Sequence, residues 1–312
     1  MRVTVRERRF PSATGLGAIR FRQWLPEEPC AALQITHGMA EHIDRYDAFA
    51  RYLAGQGVLV YGQDHAGHGK STPDAPRGFF GQENGVDALL QDMRTLYELV
   101  KRDHPAIPFI LFGHSMGSLL ARAYASRDGE DFDAFIFCGT AGRPAGLAFA
   151  RFIARREARR APDRPSRLLE RLCFGGYNRA VGSSRTAFDW LSRDAAEVDR
   201  YVADPACGFM FTAAGMRDVL NALLDVCGTE WASRVPDAPI LLASGDCDPV
   251  GGRGGGGVRQ AAGWLRQSGH GTVELKLYPG ARHELLNETN RDEVYGDIAL
   301  FIETVETMGA FA

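Results

Sequence analysis

No stretch of the 312-residue sequence is apolar for long enough to cross a bilayer, and the opening MRVTVRERRF alternates charged with apolar residues instead of carrying the apolar core of a secretory leader. A soluble, cytoplasmic protein is expected. Cysteine is sparse: positions 30, 138, 173, 207, 227 and 247 contain no CxxC pair, which argues against a structural zinc site and against a small disulfide scaffold. Most of the six are expected to be small buried apolar residues. Excess charge is lacking too, since 36 basic and 39 acidic residues leave a formal net charge of -3, giving no electrostatic reason for a nucleic-acid partner. Internal repeats are absent, and low complexity is confined to GGRGGGG at 251–257, expected to be a flexible loop directly after a strand.

What the chain does have is an alternation of strand and helix patterns. VTVRERRF and AIRFRQW read as an opening hairpin, and AALQITHG, GVLVYGQD, PFILFGH and AFIFCG as further strands, with helical spacing of apolar residues over 43–56, 86–102 and 115–127 between them. PILLASG and VELKLYP add two strands late in the chain, separated by a helix over 258–267 and followed by one over 293–307. Such alternation predicts an α/β fold: a mostly parallel, eight-stranded sheet with helices on both faces. Between 141 and 235 no strand-like run occurs, only helical and arginine-rich segments. The expected organisation is therefore a core of 1–140 and 236–312 with an inserted helical cap at 141–235.

The run PFILFGHSMG at 108–117 carries the sharpest chemical signal. A continuous apolar strand ends in Gly-x-Ser-x-Gly centred on Ser115, and a helical pattern follows at once. Glycine at 113 and 117 removes side chains that would collide in so tight a turn and leaves the hydroxyl exposed. The helix start also aims unpaired amides, Met116's among them, at any oxyanion formed beside the serine. A bare Gly-x-Ser-x-Gly can be an ordinary turn; the flanking strand and helix make Ser115 the candidate nucleophile.

A serine hydroxyl needs a base to take its proton and an acid to orient that base. Reactive groups on parallel sheets collect at the carboxyl ends of strands. His283, in the loop after VELKLYPG, is the expected base; His114 adjoins the nucleophile in sequence and cannot easily turn back to it, while His104 and His270, near helix ends, are expected to be solvent-exposed. The loop after PILLASG offers Asp246 and Asp248. Asp248, fixed before Pro249 and projecting further, is the expected acid, with Asp246 the alternative that would hold the turn. The second oxyanion amide is expected from Met39, in the His37-Gly38 loop after the third strand.

Other motifs fail. AGHGKS resembles the end of a phosphate-binding loop but has Asp64 where the first glycine should stand, and HGMAEH has one residue too many for a zinc-protease signature. Asp64, His65 and His68 suit a structural turn better than an ion site. No metal or other cofactor is expected. The arginine-rich segment LAFARFIARREARR at 147–160 suits transient contact with an anionic membrane surface, although a cap helix with a solvated basic face accounts for it as well.

Together, HGMAEHIDRY, DHAGHGKS, GHSMG, DCDPVGG and RHELLNE resemble the lysophospholipase and monoacylglycerol lipase group of α/β-hydrolases over nearly the whole chain. The resemblance implies Ser115 as nucleophile, His283 as base, Asp248 as acid, the amides of Met39 and Met116 as oxyanion hole, and a small acyl ester as substrate. Many relatives have glycine where this chain has Ala40. The expected activity is a serine esterase acting on monoacyl lipids such as lysophospholipids or monoacylglycerols. Phe149, Phe152, Ile153, Leu168, Leu169, Phe174, Phe209, Met210, Phe211, Leu220 and Leu223 would supply an apolar channel. Two alternatives stand beside it: an aminopeptidase of the same fold, whose cap carboxylates Asp189, Asp194, Glu197 or Asp199 would hold an ammonium, and a non-catalytic ligand-binding relative.

Overall fold

Apolar residues two apart in a strand face the same side of a sheet, and here both sides are covered, so the central strands are buried throughout. The computed structural model describes residues 2–182 and 185–309, with side chains through 307; position 1, positions 310–312 of the expected core and 183–184 of the expected insertion lie outside the described residues. Strands β1 (Val3–Pro11), β2 (Ala18–Pro26) and β3 (Ala31–Thr36) precede helix α1 (Asp47–Ala54), β4 (Val58–Gln63), α2 (Gly85–Asp103), β5 (Phe109–His114), α3 (Met116–Asp128) and β6 (Ala134–Cys138). The segment from β6 to the next strand is helical: α4 (Leu147–Arg160), α5 (Arg167–Phe174), α6 (Tyr177–Ala180), α7 (Ala195–Ala203), α8 (Ala213–Asp225) and α9 (Thr229–Ala232). Strand β7 (Ile240–Gly245), α10 (Gly256–Gln267), β8 (Val273–Tyr278) and α11 (Arg291–Gly309) complete the chain.

The eight strands form one sheet in the order β1-β2-β4-β3-β5-β6-β7-β8, antiparallel at β1-β2 and β2-β4 and parallel elsewhere. Leu33, Ile35, Ile110, Phe112 and Ile136 face one side with residues of α1 and α11; Leu111, Phe135, Phe137 and Leu242 face the other with residues of α2, α3 and α10. This puts β5 in the middle of the sheet, so its carboxyl end opens between those of β3 and β6. The expected helix over 43–56 is divided, a 3-10 turn at Ile43–Tyr46 leading into α1. No helix among the described residues is long and apolar enough to cross a membrane.

Three local expectations are corrected. The glycine run at 251–257 is not a flexible loop: Arg253–Gly255 forms a 3-10 turn, Gly256 and Gly257 already belong to α10, and the Gly257 amide donates to the Gly251 carbonyl at 2.7 Å. Positive φ at 252, 254 and 255 lets the backbone coil this tightly. His270 is buried, not exposed, because its Nε2 lies 2.9 Å from the Ala232 carbonyl. Among the cysteines, only 138 and 207 are buried, whereas 30 and 247 are exposed and 173 and 227 intermediate.

Candidate active site

Ser115 stands between β5 and α3 with φ 54 and ψ -121, a conformation that costs a non-glycine residue about 1–3 kcal/mol and must be held by its surroundings. Its amide donates to the Cys138 carbonyl at 3.0 Å, and its carbonyl accepts from the Ser118 amide at 2.9 Å and the Ser118 hydroxyl at 2.6 Å. The two flanking glycines are required by space: a Cβ on Gly117 would lie 2.0 Å from the Thr36 carbonyl, and one on Gly113 would lie 2.4 Å from the Gly117 carbonyl. The Ser115 turn is thus wedged against the end of β3. Ser115 Oγ makes no hydrogen bond to any described residue.

His283 and Asp248 meet across the ends of β7 and β8. The imidazole Nδ1 lies 2.9 Å from Asp248 Oδ2, with both side chains buried. The remaining Asp248 lone pairs accept from Ser244 Oγ at 3.3 Å and from the Val250 amide at 2.8 Å. Asp246 points elsewhere, accepting the Gly280 amide at 2.7 Å and holding the turn before the His283 loop. Burial pulls the His283 imidazole down, but the charge and hydrogen bond of Asp248, aided by Glu284 and Glu41, outweigh it and hold the group above the ordinary histidine value. His114, 4.7 Å from the His283 ring, is driven down to about 3 by burial and by His283, so it stays neutral. Trp190 also packs against the His283 ring, 5.0 Å between centroids.

The loop after β3 packs onto Ser115 so closely that a Cβ on Gly38 would lie 3.2 Å from the serine Cβ. Neither the Met39 nor the Met116 amide donates to an acceptor among the described residues. Ala40 adopts φ 53, the left-handed region in which glycine is at ease and alanine is strained. Its carbonyl accepts from the Gly208 amide at 2.9 Å and the Tyr201 hydroxyl at 3.0 Å, so the β6–β7 insertion takes part in holding this loop.

Beneath the loop lies a buried charge network absent from the sequence reading. Arg45 grips Glu284 with two hydrogen bonds, 2.5 and 2.6 Å, and reaches Glu41 at 2.9 Å; Glu41 in turn accepts from Tyr46 at 2.8 Å and from the Gly38 amide at 2.5 Å. Burial raises both carboxylates; Arg45 brings Glu284 down to about 2, while Glu41 stays above the ordinary range. The network joins the loop at 38 to the residue after His283. The i, i+4 spacing of Glu41 and Arg45 was visible in HGMAEHIDRY, but a partner 239 positions away was not.

Ser115, His283, Gly38, Met39 and Met116 all border one cavity of about 870 Å³, whose remaining wall comes largely from the insertion. Of the apolar channel residues expected, Phe149, Phe174, Phe209, Met210, Leu220 and Leu223 line it. Leu169 and Phe211 are buried in the core, Ile153 packs half-buried against it, and Phe152 and Leu168 face solvent. None of Asp189, Asp194, Glu197 and Asp199 borders the cavity: Asp189 accepts from Thr186, Asp194 caps α7, and Glu197 and Asp199 pair with Arg200 and Arg185. Its carboxylates are Glu41, Glu284 and Glu170, the last half-buried. His42, Asp204 and Cys207 place ligand atoms within 4.8 Å of one another, but His42 Nε2 and Asp204 Oδ2 are already hydrogen-bonded at 2.8 Å and burial pushes the Cys207 thiol up, so the trio ties the insertion to the loop.

Comparison with known proteins adds independent findings. Residues 27–290 match the family described as serine aminopeptidase, S33. A monoacylglycerol lipase of Mycolicibacterium smegmatis is 30% identical over 305 residues, covering 93% of this chain and 95% of that protein. The human monoglyceride lipase is 28% identical over 275 residues, 86% of this chain and 80% of that one. Among solved structures, a thermostable carboxyl esterase from Bacillus coagulans superposes with a TM-score of 0.92 at 31% identity, covering 98% of this chain and all of that one.

Proposed function

The chain belongs to the serine aminopeptidase family as an α/β-hydrolase of the monoacylglycerol-lipase-like group, and on that footing we propose that it hydrolyses the carboxylic esters of monoacyl lipids through an acyl-enzyme on Ser115. The observation that carries the reading is His283, hydrogen-bonded to the buried Asp248 and bordering one largely apolar cavity with a strained, unbonded Ser115. His283 accepts the Ser115 proton as the hydroxyl attacks the ester carbonyl; Asp248 steadies the imidazolium; the amides of Met39 and Met116 donate to the oxyanion. Collapse of the tetrahedral adduct releases the alcohol, protonated by His283, and a water activated by the same imidazole then frees the acid.

Relatives named for monoacylglycerol hydrolysis support the substrate class, and the apolar wall of Phe149, Phe174, Leu220 and Leu223 suits an acyl chain. The aminopeptidase reading loses its expected ammonium partners, all four of which are engaged away from the cavity. Residues 141–235 act as a cap over a core of 1–140 and 236–312 in this reading, and the exposed Phe149 and Phe152 of α4 and Leu168 and Leu172 of α5, beside the arginines of α4, rest on an anionic lipid surface while substrate enters. A fluorophosphonate probe is expected to label the native protein and not Ser115→Ala. Monoacylglycerols, lysophospholipids, nitrophenyl esters and aminoacyl arylamides, assayed side by side, should show turnover of the esters; unchanged labelling of Ser115→Ala, or turnover of arylamides above esters, overturns it.

A further inference from the structure

Of the three consecutive amides in the loop at 38–40, two are engaged: Gly38 N–H donates to Glu41 and Ala40 N–H to His68 Nε2 at 3.3 Å. Only that of Met39 is left over, and what sets its direction is the peptide to which it belongs. In a trans peptide the C=O and the N–H point to opposite sides, so whatever grips the Gly38 carbonyl aims the Met39 amide the other way. That grip is His37, whose Nδ1 lies 2.8 Å from the Gly38 carbonyl oxygen.

The protonation of His37 follows from its other nitrogen. The His65 backbone amide, which can only donate, points at His37 Nε2 at 3.0 Å, so Nε2 must be the bare nitrogen and Nδ1 must carry the proton. A cationic ring would set Nε2–H against the His65 N–H, donor against donor. His68 obeys the same logic: Nε2 accepts from the Ala40 amide, leaving Nδ1–H for the Ala66 carbonyl at 3.0 Å. Both rings are fully enclosed, packed 5.1 Å apart between centroids, and burial holds each well below the ordinary histidine value. Neither touches the cavity.

We infer that His37 is a positioning residue, its Nδ1–H fixing the Gly38–Met39 peptide so that the Met39 amide faces the reacting carbonyl, with the neutral His68 removing the neighbouring Ala40 amide from competition. This rests on the acyl-transfer reading of the cavity. It also gives the His-Gly pair a definite chemistry: the glycine lets the loop approach Ser115, and the histidine orients the peptide that follows.

Two substitutions separate this role from core packing. An asparagine at 37 places its amide nitrogen near the position of Nδ1 and keeps the donor to the Gly38 carbonyl; a glutamine reaches the position of Nε2 and loses it. His37→Gln should lose about 10–100-fold in kcat with KM within twofold, a fraction of what deletion of an oxyanion donor costs. Its affinity for an alkyl trifluoromethyl ketone, which forms a tetrahedral oxyanion on the serine, should fall by the same factor, and His37→Asn should recover most of both. Equal losses in the two variants, or a kcat loss without a matching loss of ketone affinity, overturn the role. Nitrogen-15 NMR of histidine-labelled wild-type protein tests it without any substitution: His37 should be the neutral Nδ1–H tautomer throughout pH 5–8, and an Nε2–H tautomer or a titration in that range refutes it. Failure of wild-type Ser115 to react with the fluorophosphonate would instead refute the acyl-transfer reading.

Discussion

Replacing Asp248 by asparagine changes no more than an oxygen for an NH2, yet the surroundings of that side chain make the consequence severe. Two N–H groups converge on the carboxylate: the Val250 amide on Oδ1 at 2.8 Å and His283 Nδ1–H on Oδ2 at 2.9 Å. A carboxamide can accept only one of them well. The Val250 amide cannot change its role, whereas an imidazole can move its proton, so the carboxamide oxygen turns to Val250 and its NH2 to His283. Nδ1 must then accept, Nε2 takes the proton, and the base can no longer receive the serine hydrogen. Restoring the working tautomer means leaving a buried donor against a donor, about 1–3 kcal/mol. The imidazolium formed in the reaction also loses its buried counter-charge, and breaking a buried pair costs about 3–5 kcal/mol. The sum, about 4–8 kcal/mol, brackets the roughly 5.5 kcal/mol of a 10⁴-fold loss in kcat. Asp246→Asn keeps the acceptor that holds the Gly280 amide and should stay within several-fold of wild type. Initial rates on a short-chain nitrophenyl ester, with circular dichroism to match the folds, decide the matter. An Asp248→Asn enzyme within tenfold of wild type would refute the reasoning, and a four-order loss in Asp246→Asn beside an active Asp248→Asn would reassign the acid.

In the proposed mechanism His283 works as the neutral base and its pKa is held above the ordinary 6.5, so kcat/KM should fall on acidification with a midpoint above 6.5, and a pH-rate profile flat down to pH 6 contradicts this. Arg45→Met strands Glu41 and Glu284 in the interior and should cost about 3–5 kcal/mol in urea unfolding at pH 8, less at pH 5 where Glu41 takes up a proton more readily; an unchanged midpoint at pH 8 would dismiss the network as a stabilising element. Ala40→Gly relieves a left-handed alanine but loosens the unfolded chain, so it should be neutral or stabilising by up to about 1 kcal/mol, and a clear loss of stability speaks against strain at φ 53. Phe152→Asp, on the 62% exposed α4 residue outside the cavity, should weaken binding to anionic phospholipid vesicles by about tenfold or more while leaving hydrolysis of a soluble ester unchanged; equal vesicle binding removes α4 from the contact.

The strands and their order of appearance were legible because each is a short apolar or alternating run with its own turn signals, and because a parallel sheet hides both faces of its central members. Ser115, His283 and Asp248, the proposed triad, could be picked out for a related reason: each follows a strand end, and parallel sheets gather those ends. What stayed hidden depends on contacts between distant segments that no local pattern records. The partner of His270 is a carbonyl in α9, and the glycine run at 251–257 coils because Gly257 packs against the loop at Gly142. Composition suggested a flexible loop, and a place near a helix end a solvent-facing imidazole.

The same limit applies with more force to the insertion, which composition marked only as helical, basic and apolar. Its middle portion is bonded to the loops that carry His283 and Ala40. Leu191 accepts the Glu284 amide at 2.7 Å, Arg282 donates to the carbonyls of Asp189 and Ser192, and Arg193 grips Glu288, which also accepts the Arg282 amide; on the far side Tyr201 and Gly208 hold the Ala40 carbonyl. By contrast α4 and α5 carry the exposed Phe149, Phe152, Leu168 and Leu172 and pack chiefly on α8 and on each other. Residues 189–208 therefore help to position the loops that carry His283 and Met39, and α4, α5 and α8 shape the apolar wall of the cavity. Substitutions in the first group should appear in kcat, where a positioning error is felt in the transition state, and those in the second in KM and chain-length preference. A cap that only selected substrate would show no such division.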